Sequence, residues 1–345
     1  VTALSAGAPI EPPRLPVGRR STLLADPARD GRLLGVDVWY PAVDHSGAEA
    51  SVYDLIPGAS FRAATALHEP PARTGRYPLI VLSHGRTGMR FSYSLLCEAL
   101  AARGAVVVSA DHPGDVLTDW LLGTHADDRT NEVNRVGDAH LLIDALVHGH
   151  DAIPSDVLAA VDHDRIALAG HSYGAYTALA TAAGARGVAP HDRVGAVVTF
   201  QPYTRTMSDG LLGRVTTPTL LVVSELDGTT PAHSDADRPW ALLRGEPTWR
   251  LDLAGAGHQA ISDIALYAEL APHIEGLPEI VVQYLALTAA DAVGPGYRPW
   301  RDTVLVQLDA AWAFLQITLG FDRASGDAWA ARADAGLTGA RLTRR

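Results

Sequence analysis

The stretch Arg165-Ile166-Ala167-Leu168-Ala169-Gly170-His171-Ser172-Tyr173-Gly174-Ala175-Tyr176-Thr177-Ala178-Leu179-Ala180-Thr181-Ala182-Ala183 decides how this chain must fold. Its first five residues form a short apolar run, the mark of a buried strand. Its last nine are small and predict a helix. Between them lies G-x-S-x-G, and a strand running through that pentapeptide into a helix makes a nucleophile elbow. A turn this tight leaves no room two residues before or after the serine, which Gly170 and Gly174 satisfy. The turn lifts the Ser172 hydroxyl out of the sheet, and the helix N-terminus behind it favours developing negative charge.

Working outward, short apolar runs alternate with helical patterns, as in a mostly parallel sheet covered on both faces. The strands predicted are 34–40, 79–83, 105–110, 165–169, 195–200, 219–224 and 249–253. The helices predicted are 91–103, 132–147, 174–183, 238–243, 278–292 and 303–319, the last beginning a C-terminal helical extension. Tyr40-Pro41 ends the first strand and marks it as an edge or antiparallel one. Open α/β sheets present ligands at the carboxyl ends of their parallel strands. Four such ends are chemically loaded: Ser83-His84-Gly85-Arg86, Asp111-His112-Pro113-Gly114, Gly170–Gly174 and Glu225-Leu226-Asp227. Gly255-Ala256-Gly257-His258-Gln259 follows the last strand.

The 345 residues suffice for a large core, and no linker, repeat or charge run divides them. The simplest organisation is an N-terminal arm over 1–30 and a single domain over 31–345. All 28 basic residues are Arg, they are scattered, and the net charge is −11, which argues against nucleic acid and anionic membrane surfaces. Cys97 is the only cysteine, so no intramolecular disulfide and no cysteine-based metal site can form. No metal site is expected elsewhere: His148 and His150 read as a solvated helix end. The most apolar helical stretch, 280–293, is broken by Gln283 and Asp291 and is too short to span a bilayer. The first sixteen residues carry no basic-then-apolar segment, so no signal peptide is expected and a cytoplasmic location is favoured over a secreted one. A cleaved leader stays open, since the chain does not begin with Met. The sequence says nothing about oligomeric state.

A serine becomes a nucleophile only when a base takes its proton, and the base needs an acid to fix its tautomer. On this scaffold the order is serine, acid, histidine. Asp227, just past the 219–224 strand and before Pro231, is the preferred acid. Glu225 is its rival, and Asp252 fits the solvated face of a strand. His258, in a Gly-flanked loop, is the preferred base. His233 and His273 read as surface residues, and His171 as a packing residue pointing away from the nucleophile. Two backbone N–H groups must await the tetrahedral oxygen. One is expected from Tyr173, the residue after the serine, and the other from Arg86 in the loop after the 79–83 strand.

Arg76-Tyr77-Pro78-Leu79-Ile80-Val81-Leu82-Ser83-His84-Gly85, then Arg90 and Tyr93, then Leu100-Ala101-Ala102-Arg103-Gly104, resembles the plasma-type platelet-activating-factor acetylhydrolases. Their elbow is matched by Gly170–Gly174, their catalytic-histidine segment by Gly257-His258-Gln259 with Asp263. Their C-terminal helix and tail are matched by Ala313-Phe314-Leu315-Gln316, Leu319-Gly320-Phe321 and Trp329. The likeness runs from about Val36 to Trp329. It implies an α/β-hydrolase fold and a Ser-His-Asp triad acting on acyl esters without a cofactor. There is one departure. That family's acid follows the strand that here ends Val197-Val198-Thr199-Phe200-Gln201-Pro202, a stretch with no carboxylate. Asp227, one strand later and preceded by Leu226, is similar in position to the acid of bacterial cutinases and polyester hydrolases. The acetylhydrolase substrate is therefore not carried over. Ser172 also separates the chain from dienelactone hydrolases proper, which use a cysteine.

Segments 115–133, 201–212 and 264–300 are in excess of the core and are expected to cover the crevice, with Trp120 and Tyr203 as candidate pocket walls. The expected partner is a small-molecule or lipid-like acyl ester. Two other readings keep the same fold: a ligand-binding protein without turnover, and an acyltransferase or perhydrolase using the same acyl-enzyme.

Overall fold

A computed structural model describes residues 4–44 and 47–345, so the first three residues of the expected arm lie outside the described residues. Among the described residues twelve strands form one sheet: β1 (Leu4–Ser5), β2 (Val17–Asp26), β3 (Arg32–Pro41), β4 (Ala50–Ile56), β5 (Ala59–His68), β6 (Tyr77–Ser83), β7 (Val106–Ala110), β8 (Val161–His171), β9 (Val194–Phe200), β10 (Thr219–Ser224), β11 (Thr248–Leu253) and β12 (Ala340–Arg344). The order across the sheet is β1-β5-β2-β3-β7-β6-β8-β9-β10-β11-β12, with β4 paired to β5. From β7 to β11 every pair is parallel, while β2–β3, β3–β7 and β11–β12 are antiparallel.

Side chains alternate across the parallel strands, as a period of two requires. Leu79, Val81, Val106, Val108, Ile166 and Leu168 face one core, and Ile80, Leu82, Val107, Ala167 and Ala169 face the other. The helices are α1 (Ser94–Ala102), α2 (Leu117–Leu122), α3 (Asp128–His148), α4 (Ser155–Ala160), α5 (Tyr173–Ala183), α6 (Asp209–Leu212), α7 (Ala232–Asp235), α8 (Asp237–Leu242), α9 (Ile264–Leu270), α10 (Glu279–Ala289), α11 (Trp300–Thr318) and α12 (Arg323–Ala335). Val136, Leu142, Ile143 and Leu146 of α3 and Leu179 of α5 cover the first face. Leu95, Leu96 and Leu100 of α1 with Leu308 and Phe314 of α11 cover the second. Each fully buried aliphatic or aromatic side chain of this kind contributes about 1.5–3 kcal/mol of transfer free energy. No helix among the described residues is long and apolar enough to cross a membrane.

Three features go beyond the sequence reading. The expected N-terminal arm contains β2, which pairs with β3 over ten residues from Val17–Pro41 to Asp26–Arg32. The strand ending in Pro41 is antiparallel, one of the two alternatives expected for it, and it is interior, because β2 covers its outer side. The helical extension closes in a strand, β12, laid antiparallel on β11.

Candidate active site

Ser172 sits between β8 and α5, as the N-cap of α5, at φ 54° and ψ −118°, a positive φ that an L-residue adopts only under constraint. Its neighbours impose it. A Cβ on Gly170 would overlap the carbonyl of Gly174, and a Cβ on Gly174 would overlap the carbonyl of Ser83. The backbone of Ser172 is held by its N–H to Phe200 O (3.0 Å), while its carbonyl accepts from Tyr203 N (3.1 Å) and Ala175 N (3.0 Å).

The side chains of Ser172, His258 and Asp227 form one chain. Ser172 Oγ lies 2.9 Å from His258 Nε2, and His258 Nδ1 lies 2.9 Å from Asp227 Oδ2. Asp227 also accepts from Thr229 N (2.9 Å), Thr230 N (2.7 Å) and the Thr230 hydroxyl (2.7 Å). Burial pushes its carboxyl up, but the His258 hydrogen bond and charge together with the Thr230 donors outweigh this and hold it below the usual carboxylate range. Because the carboxylate can only accept, His258 carries its proton on Nδ1 and turns the Nε2 lone pair to Ser172. Glu225, the rival acid, is exposed and accepts from Gly255 N (2.9 Å). Asp252 pairs with Arg250.

The start of the loop after β6 is pinned by several hydrogen bonds. His84 O accepts from Arg135 Nη1 (2.7 Å), and Gly85 O from His84 Nδ1 (2.7 Å) and Arg135 Nη2 (3.3 Å). Gly85 N donates to the Tyr93 hydroxyl (3.1 Å), and His84 Nε2 accepts from His112 N (3.2 Å). The next N–H, that of Arg86, has no acceptor among the described residues, and neither does that of Tyr173 at the start of α5. The Arg86 guanidinium binds Asp128 (2.6 Å) and lies 4.7 Å from the centre of the Tyr173 ring.

A cavity of about 380 Å³ opens at Ser172. Met89, Leu117, Ile264, Tyr267, Tyr284 and Leu285 give it apolar walls, and Thr229, Gln259, Ser262 and Asp291 polar ones. Trp120 and Tyr203 do not line it. Their rings are engaged elsewhere: Trp120 stacks on His125 at 4.0 Å and donates to Asp115, and Tyr203 packs edge-on against Tyr173. No residue of 201–212 reaches the cavity, whereas 264–300 supplies much of its wall. Among the described residues no group of three or more His, Cys, Asp or Glu side chains is placed to hold a metal ion.

Sequence reading missed Arg135 and its partner Asp115, both fully buried. A usable signal existed. Asn131, Arg135 and Asp138 recur at helical spacing in α3 and are buried beside its apolar stripe, so polar side chains face inward there. His171, expected to pack away from the nucleophile, is buried, and its ring bonds the Tyr93 hydroxyl (2.8 Å) and the carbonyl of His258 (2.8 Å), contacts the sequence does not show.

Residues 59–221 match the chlorophyllase family model. Among solved structures, a ferulic acid esterase from Streptomyces cinnamoneus superposes with a TM-score of 0.67 at 22% identity, over 93% of this chain and 94% of that one. With its parallel sheet, covered faces and sharp serine turn, the chain has the α/β-hydrolase fold.

Proposed function

We propose that the protein is a serine esterase: Ser172 is the nucleophile, His258 the general base and acid, and Asp227 the residue that orients His258. The observation that carries this is the continuous chain from Ser172 Oγ through His258 to Asp227, both contacts at 2.9 Å, at the mouth of a cavity. The likeness to the chlorophyllase model and to a ferulic acid esterase supports ester chemistry on this scaffold. The sequence resemblance to acetylhydrolases and cutinases points the same way.

In the reaction Ser172 Oγ attacks the acyl carbon while its proton passes to His258 Nε2. The oxygen of the tetrahedral intermediate takes its charge into the N–H groups of Arg86 and Tyr173. The alkoxy C–O bond then breaks, His258 protonates the departing alcohol, and an acyl ester remains on Ser172. Water, deprotonated by His258, attacks that ester, and the carboxylic acid leaves as Ser172 recovers its proton. Asp227 stabilises the imidazolium formed in both halves. No cofactor enters any step. Segments 115–133 and 264–300 serve as the cover, and the apolar part of the ester occupies the cavity beneath them.

The test is hydrolysis of p-nitrophenyl esters from two to twelve carbons by wild type and Ser172→Ala. Turnover that falls by about 10⁴-fold or more in the variant is expected. Equal turnover in the two proteins would sink the assignment. Wild type that labels with a fluorophosphonate yet hydrolyses no ester would turn attention to acyl transfer, read from products with added alcohol or peroxide.

A further inference from the structure

A second hydrogen-bond chain runs beneath the first. Gly85 N lies 3.1 Å from Tyr93 Oη, Tyr93 Oη 2.8 Å from His171 Nδ1, and His171 Nε2 2.8 Å from the carbonyl oxygen of His258. Its direction is fixed at both ends. The His258 carbonyl can only accept, so His171 carries its proton on Nε2. A neutral ring then offers a lone pair at Nδ1, and the Tyr93 hydroxyl must donate to it. That leaves the Tyr93 oxygen free to accept the Gly85 N–H. Each group has one role, and a second proton on His171 would face a hydroxyl that has no acceptor left. Burial, and after it the charge of His258, pushes His171 down to about 3, so the neutral ring persists at ordinary pH.

The chain links three segments far apart in sequence. Gly85 immediately precedes Arg86, whose N–H is one of the two proposed oxyanion donors. His171 immediately precedes Ser172. The His258 carbonyl belongs to the base itself, whose N–H is held from the other side by Asp291 Oδ1 (3.1 Å). Tyr93, His171 and His258 are buried at the edge of the cavity, and a low local dielectric strengthens bonds between buried polar groups.

We propose, building on the esterase reading, that Tyr93 and His171 are positioning residues: their neutral hydrogen-bond chain holds the oxyanion loop, the nucleophile and the base in one geometry. Neither touches the reacting atoms. They act because a misplacement of about 1 Å in such a constellation costs on the order of 10²-fold in rate.

The experiment compares Tyr93→Phe, His171→Leu and His171→Gln with wild type. It reads kcat and KM on a p-nitrophenyl ester, the rate of fluorophosphonate labelling at Ser172, and the thermal midpoint. The first two variants are expected to lose roughly 10–100-fold in kcat and in labelling rate, with KM within about threefold. The Gln amide offers one acceptor and one donor at nearly the separation of the ring nitrogens, so His171→Gln is expected to stay within about fivefold of wild type. The double variant Tyr93→Phe/His171→Leu should lose no more than the worse single one, because the chain acts as a unit. Unchanged kcat in both single variants, a loss confined to KM, or His171→Gln behaving as His171→Leu would overturn the inference. If one of Tyr93→Phe and His171→Leu does not fold, the other is compared with His171→Gln, and a loss of tenfold or more in folded His171→Gln overturns the inference. Wild type that labels at Ser172 while the variants label equally fast removes this inference alone. Wild type that neither labels nor hydrolyses removes the esterase reading and this inference with it.

Discussion

At Asp227 the consequence of a single atom can be worked through. Replacing the carboxylate by an amide keeps its shape but lets the side chain donate toward His258 Nδ1, which now carries the proton. The imidazole then adopts the other tautomer and meets Ser172 Oγ with an N–H where a lone pair is needed. Asp227→Asn is therefore expected to lower kcat by about 10³–10⁴-fold at neutral pH with little change in KM, measured by initial rates on a short p-nitrophenyl ester. A loss of less than tenfold would mean that another carboxylate, with Glu225 the first to examine, fixes the base. The elbow serine shows a second residue-scale constraint. Its positive φ costs about 1–3 kcal/mol, and it persists because Gly170 and Gly174 let β8, α5 and the end of β6 close around it.

At the scale of elements, the strands from β6 to β11 and the antiparallel β3 were legible, and β1, β2, β4, β5 and β12 were not. β6, β7, β9 and β10 are buried along both faces and read as unbroken apolar runs. β2 carries Arg19 and Arg20, and β5 is rich in alanine, so neither has the β-branched signal of a strand. Arg19 is nonetheless buried because Asp37 of β3 pairs with it at 2.7 Å, a partner invisible at the level of local pattern. The same holds for the site. The proposed triad of Ser172, Asp227 and His258 could be named because a motif and a chain order point to it, whereas Arg135, Tyr93 and His171 make their bonds to residues 8 to 87 positions away, which no local pattern reveals. Arg135 illustrates how much rests on one such contact. Its guanidinium binds Asp115 Oδ2 at 2.8 Å with both side chains fully buried, and it also holds the carbonyls of His84 and Gly85. Arg135→Met strands the Asp115 carboxylate and is expected to cost about 3–5 kcal/mol in urea unfolding. Adding Asp115→Asn should recover part of that loss, since the uncompensated charge is gone. A double variant no more stable than the single one would show that the two loop carbonyls, rather than the ion pair, carry the effect.

For the whole molecule, buried titratable groups set how stability depends on pH. His84, His112 and His171 are all buried and neutral, with burial the first cause: His112 is pushed down to about 4, His171 to about 3, and His84 well below its usual value. The unfolded chain binds protons at these positions below about 6.5, so each makes the fold more stable as pH rises from the acid side toward that value. Asp263 acts in the opposite sense. Burial pushes it up to about 8, against the donors Ser94 and Leu95, with nearby Glu98 adding to the rise. Between about 4 and 8 the folded protein holds a proton here that the unfolded chain has released, and stability falls as pH rises through that window. At pH 6.5 the three histidines are still about half protonated in the unfolded chain and keep adding stability up to about 7.5, so between 6.5 and 8 they oppose Asp263. Asp263→Asn mimics the protonated acid and keeps an oxygen to accept from Ser94 and Leu95. Because the histidines are common to both proteins, the change in thermal midpoint from pH 6.5 to 8.0 at fixed ionic strength should be more negative for wild type than for Asp263→Asn. Equal changes in the two proteins would mean that Asp263 is ionised in the fold. The N-terminus of α1, which Asp263 caps through Ser94 and Leu95, would then be held by a buried charge rather than by a neutral acid.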